Sequence, residues 1–477
     1  MRFALLLVAA LASAGCETLE PTMNQPLAPG PEGAPPEAVG DLASGYRLTA
    51  LPDRTTFHDV GVFLAFSGGG KRSAAFAYGV LEGLRDFELR RKSGTSRLLD
   101  EVDFISAVSG GSFTAAYYGL HRDKIFTDFE RDFLSRDIES YIWGLYLLPW
   151  HWASIVNPVY GTNDQMAAIY DDLMFHGATY SDLQRLGRPL ISINATNISY
   201  GFVFPFTQDY FDMVCSDLSQ YPLSRAVAAS NGFPILFSPI TLENHADACG
   251  GWKPRWAQMA DRVPPSSRAR YLIDTAREFL DPAKTRYIHL VDGGVSDNLA
   301  MRGLLNSVVL LNASPADIHR RSGALQVRRL LLVSADGQAS SRGAFADSRV
   351  VTGVGQILNV VSGGSIDQYN FETLQLARQE LESLAANVRR LRCEVAPVID
   401  GYRCDDVETH FAHFSLGDIA DEATRKRLEA IPTGLTLSPE DVATLVEVGA
   451  RVVRESPELE RFRKGLDVHR SAPLAAR

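Results

Sequence analysis

Three short stretches hold residues whose types and spacing could do chemistry. In "FISAVSGGSFTAAYYG", Ser109 ends an apolar run and is followed by Gly110, Gly111 and small residues that open a helical pattern. This is the context of a nucleophile elbow, where a serine sits on a sharp strand-to-helix turn with its hydroxyl exposed. The usual spacing is G-x-S-x-G, and Ala107 stands in the first glycine's place. In "HLVDGGVSDN", Asp292 follows an apolar strand pattern and precedes two glycines. A carboxylate is thereby placed at a strand's C-terminal end, where ligands and catalytic groups of parallel sheets collect. Asp-Gly is also a plain turn signal. Asp297 is the competing carboxylate, but it lies beyond the turn, and Asp292 is preferred. The third stretch, "FLAFSGGGKRSAAFAYGVLEGL", puts Gly68, Gly69 and Gly70 between a strand pattern and a helix pattern. Backbone N–H groups bared at a helix start can hold an anion.

Spacing decides which anion. A phosphate-binding loop requires G-x-x-x-x-G-K-[ST], yet Lys71 is followed by Arg72 and Ala65 occupies the first glycine position. A dinucleotide fingerprint requires G-x-G-x-x-G, and after Gly68 and Gly70 the third position is Ser73. Both nucleotide readings fail on spacing. A structural tight turn and an oxyanion hole remain, and Ser109 with Asp292 favours the second. A Ser-His-Asp arrangement is the competing mechanism, since the chain has 10 histidines. His289 is nearest to Asp292 in sequence, but an odd offset along a strand points to the opposite face.

The elements that must position these residues alternate between strand and helix. Strands are expected at Val60–Phe66, Val102–Ser109, Pro189–Asn197, Tyr287–Gly294 and Arg328–Gly337, with helices from about Arg72 and Gly111. Such alternation indicates an α/β fold, a mainly parallel central sheet flanked by helices. From Ile366 onward the apolar spacing is near 3.6, so a helical C-terminal region is expected over 346–477.

Taken in order, the motifs resemble the patatin-like phospholipases, over roughly Phe63 to Ala300. That family carries G-G-G-x-[KR]-G, similar here through Gly68, Gly69, Gly70, Lys71 and Arg72, with Ser73 departing from the last glycine. "LSRAVAASNGFPILFSPI" (Leu223–Ile240) resembles the family's Ala-Ser-x-x-x-Pro block. The resemblance implies a three-layer fold and a serine acyl hydrolase acting on lipid acyl esters, of phospholipase A or lysophospholipase type. It implies a Ser109–Asp292 dyad, an oxyanion hole at Gly68, Gly69 and Gly70, and Arg72 as a supporting residue, without metal or cofactor. The departures at Ala107 and Ser73 motivate one alternative: a catalytically silent lipoprotein that binds lipid or protein.

Composition bounds the partners. The chain has 477 residues, 45% hydrophobic and 22% charged, with a formal net charge of -10. No Lys/Arg-rich run stands out, which argues against nucleic acid. "MRFALLLVAALASAGC" reads as an export signal over 1–16. Its ending resembles a bacterial lipobox, with Ser13 where an aliphatic residue is usual; lipid would then be carried on Cys16. The resemblance implies a cell-envelope lipoprotein, and Glu17 after the cysteine implies the outer membrane if the envelope is Gram-negative. A Pro-rich tether is expected over 17–45, reaching at most roughly 90 Å at about 3.1 Å per residue, before a hydrolase domain over 46–345. Four further cysteines permit three pairings; sequence proximity favours Cys215–Cys249 and Cys393–Cys404. Trp143, Trp150 and Trp152 crowd one apolar segment, Tyr141–Gly161, either as a rim that meets lipid or as an insert packed on the core.

Overall fold

The computed structural model describes residues 21–31, 34–91, 94–147, 160–234, 236–313, 323, 325–339 and 354–467. The export signal with Cys16, and Trp150 and Trp152, lie outside the described residues.

One eight-stranded sheet organises the chain. Its strands are β1 (Val60–Phe66), β2 (Val102–Ala107), β3 (Leu190–Asn197), β4 (Phe202–Pro205), β5 (Ile240–Glu243), β6 (Tyr287–Val291), β7 (Arg329–Asp336) and β8 (Glu408–Ser415). They lie in the order β8-β7-β1-β2-β3-β6-β5, with β4 also paired to β3. The strands β8, β7, β1, β2 and β3 run parallel, whereas β4, β5 and β6 join antiparallel. The five-strand parallel block is the mainly parallel sheet expected from the alternation of elements.

Helices cover both faces. Those used below are α1 (Gly70–Asp86), α2 (Gly110–His121), α3 (Ile138–Leu147), α4 (Thr162–Tyr170), α5 (Leu223–Asn231), α6 (Gly294–Asp297), α7 (Arg302–Ala313), α8 (Val354–Val395), α9 (Pro439–Arg454) and α10 (Pro457–Asp467). Successive strand residues point to opposite faces. Val62, Leu64 and Phe66 of β1 and Leu331, Val333 and Ala335 of β7 join the larger core with α1, α2 and α9. Ala65, Leu330 and Leu332 enter a second cluster with Leu305 of α7 and Ala377 and Leu381 of α8. Burial on both faces is why these strands read as unbroken apolar runs.

The region after residue 345 belongs to the same body. "THFAHF", read with a helical tail, lies instead within β8, which adds to the sheet edge beside β7 in parallel register. Ala412 and Phe414 join the larger core, while Phe411 packs on the second cluster. Helix α9 packs on α1 at glycine distance: a methyl group on Gly79 would stand 2.1 Å from the Val446 carbonyl oxygen. One on Gly449 would stand 2.4 Å from that of Phe76. Ser438 caps α9 by accepting from the Asp441 N–H, with Pro439 in the first turn.

The Pro-rich segment is also attached earlier than its composition suggests. Gln25–Pro26 pairs with Ser216–Asp217. The buried Asn24 carboxamide donates to Ser216 Oγ at 2.6 Å and to the Glu243 carbonyl at 2.8 Å. Leu27 packs on the Cys215–Cys249 disulfide. The folded body thus already includes Asn24, ahead of Tyr46, because specific side chains hold what composition alone reads as linker. The second disulfide joins Cys393 and Cys404, so both pairings are the sequence-proximal ones.

Candidate active site

Strand β2 ends at Ala107 and α2 begins at Gly110, so the chain reverses across Val108 and Ser109. Ser109 takes φ 48° and ψ −125°, a conformation that side chains rarely adopt. The turn closes because its neighbours are glycine. A methyl on Gly110 would lie 1.9 Å from the Gly70 carbonyl oxygen, and one on Gly111 2.7 Å from that of Phe66. The Ser109 N–H donates to Ser230 Oγ at 2.9 Å, which fixes the elbow against α5.

Asp292 leaves the end of β6 and meets that serine: Ser109 Oγ donates to Asp292 Oδ2 at 2.9 Å. The other carboxylate oxygen, Oδ1, accepts from the Gly294 N–H at 2.7 Å, at the start of α6. Burial raises the Asp292 carboxyl to about 6, against the pull of the Gly294 and Ser109 hydrogen bonds. Asp297, the competing carboxylate, accepts from the N–H groups of Met301, Arg302 and Gly303 and anchors the start of α7. His289 bonds Thr241, His410 bonds Glu458 and His413 bonds Ser334. Among the described residues none of these histidines is a partner of Ser109.

The glycine loop crosses from β1 to α1 beside the elbow. Its three members differ. The Gly68 N–H donates to the Asn298 carbonyl at 2.9 Å, so it is not free to receive an oxyanion, which corrects the expectation for that residue. The N–H groups of Gly69 and Gly70 have no acceptor among the described residues. Gly70 takes φ 62°, and a methyl there would stand 2.3 Å from the Gly434 carbonyl oxygen. These donors and the Gly110 N–H open α1 and α2, whose positive dipole ends favour negative charge.

Lys71 and Arg72 turn away from that opening. Lys71 Nζ is buried, donates to the carbonyls of Leu134 and Arg136, and is pushed down to about 8 by burial. Arg72 donates to the Gly337 carbonyl at 2.7 Å, to the Ile431 carbonyl, and to Thr433 Oγ1 at 3.3 Å. Arg72 therefore braces the loop against the C-terminal region. Ser73, where the family pattern has glycine, donates its hydroxyl to the Ser67 carbonyl at 2.6 Å and ties the loop's entry to its exit.

Two residues here escape motif reading. The Asn231 carboxamide lies 3.3 Å from Ser109 Oγ and 3.1 Å from the Tyr170 hydroxyl. Asn231 stands in the Ala-Ser-x-x-x-Pro block, a signal for proximity to the site but not for contact. Tyr170 ends α4 and carries no sequence signal. Nearby in the chain, Phe233, Leu236 and Val295 are exposed, as are Trp143 and Leu147 of α3. Helix α3 is linked to the glycine loop through Glu139, which accepts from the Leu435 N–H at 2.8 Å next to Gly434.

No curated protein matches the chain. Among solved structures, human GIVD cytosolic phospholipase A2 is 13% identical, with a TM-score of 0.38, covering 90% of this chain and 65% of that one. A structure of that protein in complex with methyl gamma-linolenyl fluorophosphonate inhibitor and terbium chloride is 16% identical, with a TM-score of 0.38, covering 86% and 60%. The chain thus spans less than two thirds of the length of these structures. The patatin-like phospholipase family model matches residues 64–305, from within β1 to within α7. A match over about half of its length settles the affiliation: the chain belongs to the patatin-like phospholipase family.

Proposed function

We propose that the chain is a serine hydrolase of lipid acyl esters, of phospholipase A or lysophospholipase type, working through a Ser109–Asp292 dyad. The observation that carries this reading is the 2.9 Å contact from Ser109 Oγ to Asp292 Oδ2 at an elbow with φ 48°. A serine hydroxyl is a weak nucleophile until an adjacent base takes its proton. Asp292 accepts that proton as Oγ attacks the ester carbonyl, and the N–H groups of Gly69, Gly70 and Gly110 receive the oxyanion. The proton passes to the leaving alcohol; Asp292 then deprotonates a water that attacks the acyl-enzyme, and the proton returns to Ser109 Oγ as its bond to the acyl carbon breaks and the fatty acid leaves. A carboxyl raised toward neutrality is a better base than an ordinary aspartate. Preformed backbone donors in such a site are worth about 3–4 kcal/mol each.

The exposed Phe233, Leu236, Val295, Trp143 and Leu147 suit a substrate presented in a lipid aggregate. An N-terminal lipid on Cys16 would hold the enzyme at the envelope, at the outer membrane if that envelope is Gram-negative. The test is to profile the products formed from mixed phospholipid vesicles by the wild type and by Ser109→Ala. Free fatty acid and lysolipid from the wild type alone support the reading. Identical profiles from both proteins would instead support a silent lipid-binding lipoprotein.

A further inference from the structure

The Asn231 carboxamide bridges Ser109 Oγ, at 3.3 Å, and the Tyr170 hydroxyl, at 3.1 Å. Both orientations of the amide fit these distances, and a count of protons separates them. If the amide oxygen faces Ser109, the serine's single proton has two acceptors, because Asp292 Oδ2 stands 2.9 Å away. The amide N–H₂ then faces the Tyr170 oxygen, and the tyrosine's own proton has no acceptor among the described residues. Turned over, the tyrosine's proton and the serine's proton are both matched, and one amide N–H is left over in either orientation. Tyr170 donates to the amide oxygen, the amide N–H donates to Ser109 Oγ, and Ser109 donates to Asp292. All four residues are buried, where an unmatched donor is costly.

We infer that Asn231 is a positioning residue that presents an N–H to Ser109 Oγ, and that Tyr170 fixes the orientation of its amide. The inference rests on the proposed hydrolase reading. An N–H on the serine oxygen occupies one lone pair, holds the hydroxyl proton toward Asp292, and favours Oγ as negative charge builds on it. The role is that of the third group which orients a nucleophile–base pair, supplied here from the nucleophile's side. Tyr170 is itself fixed, with its ring edge-on to Phe113 at 4.9 Å.

The test uses the full chain and a soluble p-nitrophenyl ester, with Ser109→Ala, Asn231→Ala, Asn231→Asp, Tyr170→Phe and the Asn231→Ala/Tyr170→Phe pair. Asn231→Ala should lower kcat by roughly 10–100-fold with KM unchanged, less than the about 10²–10³-fold of a lost oxyanion-hole donor because Asn231 acts through Oγ. Tyr170→Phe keeps the ring packing and should lower kcat less, by about 3–10-fold. The pair should be no worse than Asn231→Ala alone, because Tyr170 acts through Asn231. Asn231→Asp removes the N–H and sets a second carboxylate beside Asp292, so the acidic limb of kcat/KM should move to higher pH. A wild-type rate for Asn231→Ala, multiplying losses in the pair, or an unmoved limb in Asn231→Asp would each overturn the inference. So would losses that merely track a fall in folded fraction, read by thermal unfolding. If Ser109→Ala itself hydrolyses the ester at the wild-type rate, the underlying reading fails first.

Discussion

At the residue scale, Asp292 makes activity and stability oppose each other. As the proposed base it must be ionised, and burial raises it to about 6. The pH profile of kcat/KM should therefore fall on the acid side with a midpoint near that value. Asp292→Asn should lower hydrolysis by about 10²–10⁴-fold, the usual contribution of a positioned base. For stability the sign reverses. The native state holds this proton more tightly than the unfolded chain, so stability falls as pH rises from about 4 to the raised value, and stays lowered above it. Asp292→Asn removes the cost of the buried charge. Its melting temperature should exceed that of the wild type at pH 8, and the gap should shrink toward pH 4. An equal gap at both pH values would show that Asp292 carries no burial cost. Ser109 and Asp292 were legible in sequence because each follows an apolar run and is followed by two glycines. Gly68 was not separable from Gly69 and Gly70, since its N–H is taken by Asn298, which is brought there by the long-range fold. Asn231 and Tyr170 were out of reach for the same reason: their partners lie far away in the chain.

At the element scale, the glycine loop is held between the matched domain and the C-terminal region. Gly434 receives the Lys71 N–H at 2.9 Å and closes over Gly70, while Arg72 reaches Ile431 and Thr433. This clamp requires α9 to lie close on α1, which Gly79, Gly83 and Gly449 permit. Gly79→Val should cost at least about 1–3 kcal/mol by overpacking, because the obstacle at 2.1 Å is backbone rather than a movable side chain. Urea unfolding checks this, and a wild-type midpoint would show that the two helices slide apart freely. The strands β1, β2, β3 and β7 were read closely from their apolar runs, with ends displaced by a residue or two. Strand β8 was missed because Thr409, His410 and His413 break up its apolar residues, and only pairing to β7 reveals it.

At the scale of the whole molecule, segments far apart in the chain brace the domain. Asn24 and Leu27 fasten the N-terminal segment to the Ser216 region, β8 with α10 closes one sheet edge, and α9 covers α1. Removing everything after residue 345 would bare the β7 edge and the α1 face, so the truncated chain should be recovered aggregated. A soluble, folded and active 46–345 fragment, judged by circular dichroism and ester hydrolysis, would show that the C-terminal region is dispensable. The expectation of a helical C-terminal region came from its periodicity, which reports local conformation and not where a helix docks. The proposed activation of Ser109 by Asp292 can be checked by exposing wild type, Ser109→Ala and Asp292→Asn to an alkyl fluorophosphonate and locating the adduct by peptide mass spectrometry. One adduct is expected, on Ser109, formed rapidly in the wild type, slowly in Asp292→Asn and not in Ser109→Ala. An adduct on another residue, with ester hydrolysis surviving in Ser109→Ala, would contradict it.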